Sequence, residues 1–238
     1  VGGEGDTRLK SFIACVPVAL AVALALALAA PVAGLAQTTA GSGSSSLPAW
    51  DAFKKADASI KDYTETITAH EVKGNDVQDR VYHFAFAKPA LARSAIVSGP
   101  GSGGEAVWTG GDHVRGHQGG FLKMIKLTIP IDDSRATDLR GKTIDAGFYP
   151  TMIAAFDSGG ALSEAPGPIV AGDPTDAVTH VPPDPSKVRG LTKDVYLISR
   201  TTHLPVEHLG YEGTQLVEDD KFTDVKINPD LPPSTFQM

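Results

Sequence analysis

From Pro48 onward, Trp50, Phe53, Ala56, Ala58 and Ile60 recur at helical spacing with charges between them. The pattern predicts a helix from Pro48 to about Ile60, with proline suited to its first position. From Tyr63 the period changes to two. Tyr63–Lys73, Arg80–Lys88, Leu91–Ser98, Glu105–Thr109, His113–His117 and Phe121–Ile129 read as consecutive strands. The turns between them are Gly74-Asn75-Asp76, Pro89, Pro100–Gly104 and Gly110-Gly111-Asp112. Strands at such regular spacing predict an antiparallel meander. Asp132–Gly141 is polar and reads as a loop. Thr143–Phe156 places Ile144, Phe148, Met152, Ile153 and Phe156 on one helical face, and Gly147 and Pro150 divide it into two short helical pieces. Ser158–Gly190, with six prolines and five glycines, reads as a long irregular loop or lid. Strands return over Thr192–Ile227.

Side chains alternate along a strand, so Tyr82, Phe84 and Phe86 share one face and Val81, His83, Ala85 and Ala87 the other. Phe121, Ile125, Leu127 and Ile129 form a second apolar face, interrupted by Lys123. A sheet with an aromatic face needs a helix, a ligand or both to cover it. Two arrangements satisfy this. Phe148, Met152 and Phe156 fill the space as core, or they roof a cavity.

The front of the chain changes the picture of where it works. Arg8 and Lys10 precede an apolar run, Phe12–Ala30, which Pro31 and Gly34 end, and small residues stand at the cleavage positions before Gln37. This predicts a secretory signal peptide over residues 1–36. A Gly/Ser-rich linker follows at 37–47, and the folded domain occupies 48–238. The alternative is an uncleaved membrane anchor, since about 18 apolar residues can span a bilayer. Cys15, the sole cysteine, lies inside the apolar run, so the exported chain carries no disulfide and its core supplies the stability. The two acidic and two basic residues before Gln37 cancel, leaving the net charge at −7. An acidic domain without a Lys/Arg-rich run is unsuited to nucleic acid.

Catalytic and metal-binding patterns do not emerge. His113 and His117 are four apart, but the surrounding glycines favour a strand, which puts the rings roughly 13 Å apart. Ser102 lies in a glycine-rich turn without the strand-to-helix context of a nucleophile. Asp132-Asp133 and Asp219-Asp220 are neighbours that point to opposite faces, and read as solvated edge charge. No enzyme activity, metal or cofactor is called for.

The most informative stretch is Tyr196–Phe236: a strand ending on a basic residue, a strand opening on Leu204-Pro205-Val206, a long polar strand, and Asn228-Pro229 before the terminal Phe236. With Phe86-Ala87-Lys88-Pro89 followed by Arg93, and the Gly110-Gly111-Asp112 turn, it resembles the LolA-like lipoprotein carrier and lipoprotein-sorting domains. Arg140-Gly141-Lys142-Thr143-Ile144 is similar to a bacterial branch of that group with unknown function. The resemblance implies an α+β fold: a curved antiparallel sheet, an incomplete β-barrel, with helices covering its concave face. It implies a periplasmic carrier or sensor that binds a lipid or an acylated lipoprotein. Lys88 would then meet a headgroup or a lid carbonyl. The ligand-binding residues it suggests are Tyr82, Phe84, Phe86, Lys88, Arg93, Trp108, Phe121, Ile125, Phe148 and Met152. The alternative is an envelope protein-interaction or sensor module of the same fold, with a filled core, a protein partner and no ligand. Neither reading retains a membrane span after cleavage.

Overall fold

The computed structural model describes residues 46–238. The segment expected to be a signal peptide, and all but the last two residues of the expected linker, lie outside the described residues. Among the described residues two α-helices, α1 (Pro48–Ser59) and α2 (Tyr149–Asp157), accompany eleven strands. The first six are β1 (Asp62–Lys73), β2 (Asp76–Ala87), β3 (Leu91–Ser98), β4 (Glu105–Trp108), β5 (His113–His117) and β6 (Leu127–Pro130). The remaining five are β7 (Ala161–Val170), β8 (Asp173–Val181), β9 (Lys193–Ser199), β10 (Pro205–Glu212) and β11 (Gln215–Ile227). They form one antiparallel sheet in the order β6-β5-β4-β3-β2-β1-β11-β10-β9-β8-β7. The chain therefore winds outward from β1 to β6, crosses to the far edge, and winds back until β11 pairs with β1. The sheet does not close, and the result is a curved half-barrel of the α+β class. Register shifts interrupt β1–β11 between Thr64 and Thr66 and β10–β11 between Gly210 and Tyr211, and such bulges bend a sheet.

The crossover carries a 3-10 turn (Ile144–Gly147) and α2 over the inner face. Alternation aims Tyr63, Glu65, Ile67, Ala69 and Glu71 of β1 at that face, with Tyr82, Phe84 and Phe86 beside them on β2. Tyr149 of α2 stacks on Tyr63 at 4.2 Å between ring centroids, and Phe53 of α1 meets Tyr149 edge-on at 5.4 Å. The Tyr63 hydroxyl donates to Gly147 O at 2.8 Å and accepts from Tyr149 N at 3.3 Å, fastening the start of α2 to the sheet. Gly147 permits that approach, because a Cβ there would stand 3.3 Å from the Phe84 ring. On the other flank Trp50 stacks on Phe156, which lies against Tyr196 of β9.

Helix α1 has no side-chain cap of its own. Glu164 of β7 supplies one from 115 residues away, accepting from Ala49 N at 2.9 Å. The carboxylate satisfies an orphan donor and complements the positive end of the helix.

Three expectations need correction. Phe121–Ile129 is not one strand: a 3-10 helix spans Gly120–Met124, and pairing begins only at Leu127. Gly120, at φ +66, turns the chain out of the ladder. Ser158–Gly190 is not an irregular loop but chiefly the β7–β8 hairpin at the sheet's edge. Its prolines suit that place, since Pro166 and Pro168 lie on edge strand β7, where a missing N–H leaves few ladder bonds unmade. Asp220 is not solvated: it is buried on the inner face, while Asp219 faces the other way and is half-buried.

Candidate functional site

The aromatic core fills only part of the inner face. Beside it lies a cavity of about 880 Å³, within the size range of ligand pockets. One part of its wall is apolar: Ile67 of β1, Tyr82 and Phe84 of β2, Ile96 of β3 and Phe222 of β11, roofed by Ile144, Met152 and Phe156 of the crossover. Another part is charged, with Lys142, Arg189, Asp194, His208 and Asp220.

The charged wall arises because Asp194, His208, Glu218 and Asp220 occupy inward positions on β9, β10 and β11. The 132–143 loop brings two cations down onto them. Arg140 donates to Glu218 Oε1 at 3.1 Å, to Val72 O at 2.7 Å and to Arg189 O at 2.8 Å, and also pairs with Glu212. Lys142 Nζ lies 2.6 Å from Asp220 Oδ2 and 3.2 Å from Glu218 Oε2. His208 Nε2 is 2.9 Å from Asp194 Oδ1, and its Nδ1 is 3.4 Å from Asp220 Oδ2.

Burial opposes the charge on His208, but hydrogen bonds to Asp194 and Asp220 outweigh it and push the imidazole up to about 9. Burial likewise opposes ionisation of Glu218 and Asp220. Lys142 overrides it at both, with Arg189 and His208 assisting at Glu218 and His208 at Asp220, and holds both carboxyls below the usual range. At neutral pH the wall is thus a set of paired ions. His208 is protonated with both nitrogens facing carboxylates, so it serves as an ion-pair partner and not as a base. His208, Glu218 and Asp220 also bring three ligand atoms within 4.8 Å of one another. The Lys142 ammonium already supplies their positive charge, so these residues do not fit a resident metal.

Glu65 and Glu71 behave differently. Burial pushes Glu65 up to about 8, although Tyr149 donates to its Oε2 at 3.2 Å. Burial, with the neighbouring Asp138 carboxylate adding to it and Lys142 opposing it, pushes Glu71 up to about 9. Both are protonated at neutral pH.

Of the residues expected to bind ligand, Tyr82, Phe84 and Met152 line the cavity. Phe86, Trp108 and Phe148 belong to the packed core next to it. Lys88 donates to Asp57 O at the end of α1 and pairs with the Asp57 carboxylate at 3.1 Å. Its ammonium is thus held at the C-terminal end of α1. Arg93 points to the opposite face of the sheet, where it pairs with Glu105 and donates to Thr235 O at 3.1 Å. Phe121 and Ile125 stand outside the lining, 91% and 53% exposed, because the chain leaves the sheet there. The charged wall was not anticipated. Its signal lay in the alternation itself: Glu65 and Glu71 keep the phase of Tyr63 and Ile67, and Glu218 and Asp220 that of Phe222.

No family model and no curated protein matches the chain. Among solved structures it is similar to an uncharacterized conserved protein of Thermus thermophilus, with 10% identity and a TM-score of 0.52 over 80% of this chain and 91% of that one. It is also similar to a DUF1329 family protein of Desulfovibrio piger, with 12% identity and a TM-score of 0.46 over 80% and 96%. A third is a LolA superfamily protein of Nitrosomonas europaea, with 10% identity and a TM-score of 0.39 over 80% and 97%. At these identities the likeness is one of fold. The open, curved antiparallel sheet with two helices is the architecture that the sequence motifs implied.

Proposed function

We propose that this is an exported, periplasmic binding protein for a lipid or lipoprotein acyl chain, acting as carrier or sensor without covalent chemistry. The observation that carries the proposal is the cavity of about 880 Å³ between the sheet and the crossover. An apolar chain laid along Ile67, Tyr82, Phe84, Ile96 and Phe222 leaves water at about 0.8 kcal/mol per buried methylene, so a partly enclosed chain suffices for useful binding. The charged wall is internally paired and sets one boundary of the apolar space. A cavity of this size also weighs against the filled-core interaction module. The export step rests on the Phe12–Ala30 segment, and N-terminal sequencing of secreted protein should begin at or near Gln37.

Two substitutions test the binding reading. Phe84→Asp puts a carboxylate on the apolar wall, which resists burial beside an acyl chain. Ser94→Trp adds bulk from β3, where Ser94 lines the same cavity, without removing any core side chain. Both variants should lose binding of a fluorescent fatty acid, and Ser94→Trp should melt at or above the wild-type temperature. Undiminished binding by a folded Ser94→Trp protein would place the ligand elsewhere.

A further inference from the structure

The connection between β5 and β6 leaves the sheet and presents large apolar side chains to solvent. Phe121 is 91% exposed and Met124 89%, with Ile125 and Leu127 also exposed beside them. Side chains of this size are ordinarily among the most buried, and a cluster of them on a protruding turn marks an interaction surface. Lys123 and Lys126 stand exposed between them. Gln118–Leu127 holds no Asp or Glu, in a chain whose net charge is −7.

We propose that this turn is a membrane-docking hook for a bilayer surface bearing anionic headgroups. Apolar side chains interleaved with lysines suit the boundary between acyl chains and headgroups: the former enter the bilayer while the ammonium groups stay at phosphate level. The acidic remainder of the domain is repelled by the same surface, which favours contact through the tip. A protein partner fits less well, because a stable interface needs about 800 Å² from each side and a tip of a few residues supplies far less.

The position of the hook gives it a use. Gln118, Gly119 and Gly120, immediately before Phe121, form part of the cavity wall. The backbone there lies close to the β3–β4 turn, since a Cβ on Gly119 would stand 1.9 Å from Ser102 O. A hook seated in a bilayer therefore brings the rim of the cavity to the headgroups. Docking needs only the hook, so it stands or falls independently of what the cavity holds.

The test places a reporter on the hook of the 238-residue chain. Phe121→Trp adds one exposed indole to the buried Trp50 and Trp108. With phosphatidylglycerol-rich vesicles its emission should shift to the blue and be quenched by brominated lipid. With phosphatidylcholine vesicles the response should be weaker, and salt should reduce the anionic response. Adding Lys123→Glu and Lys126→Glu should weaken the apparent affinity by about tenfold or more. Loss of the response in the variant that also carries Lys123→Glu and Lys126→Glu separates docking by the turn from membrane affinity of the apolar Phe12–Ala30 run. An indole that stays water-exposed with anionic vesicles would overturn the proposal. So would a blue shift caused by protein concentration alone, which would assign the patch to contact between copies of the chain.

Discussion

Glu65 and His208 carry opposite linkages between protonation and stability. Glu65 ionises near 4.5 in the unfolded chain and at about 8 in the fold. The native state therefore holds a proton that the unfolded chain has released. The resulting cost is absent below pH 4.5, grows as pH rises to 8, and is constant beyond. Glu65→Gln removes it, and should leave stability near pH 4 unchanged while raising it by about 3 kcal/mol at pH 7. His208 runs the other way, since its raised value, about 9 against 6.5, gives a contribution that is full below pH 6.5 and lost as pH climbs through 9. His208→Gln should cost about 3 kcal/mol at pH 6 and much less above pH 9. Denaturant titrations of both variants across pH 4–10 check the two signs. A His208→Gln protein with the wild-type pH profile would show that the Asp194–His208–Asp220 chain does not form as described.

At the scale of elements, two long-range clamps hold the helices and loop over the sheet. Glu164→Ala removes the distant cap of α1 and should cost about 1 kcal/mol, measured as a lower melting temperature. Arg140→Leu should cost more, about 3–5 kcal/mol, because it leaves Glu218 buried with one cation fewer. Amide exchange should then rise first over residues 132–143. Strand positions were legible where alternation was strong: β3 and β5 begin and end where the sequence indicates. The β7–β8 hairpin was not, because proline and glycine there mark an edge strand and its turn as readily as a loop. The apolar half of the cavity was visible in Tyr82 and Phe84. The charged half was hidden, because a lone inward Glu or Asp has meaning only when its partner is known. Arg140 and Lys142 reach theirs across about 70 to 80 residues of chain.

At the scale of the molecule, eleven strands that stop short of closing create a trough. A crossover then roofs part of it, and the aromatic core fills one region while the cavity stays beside the ion cluster. The architecture is what lets one face serve as both core and container. The central claim, that the container holds an acyl chain, is tested most directly by mass spectrometry of lipid extracted from the protein purified from a bacterial envelope, beside the Ser94→Trp variant prepared in parallel. An acyl-bearing lipid approaching one per wild-type chain is expected, with little or none in the folded variant. No co-purifying lipid in the wild type, or equal amounts in both proteins, would contradict the claim.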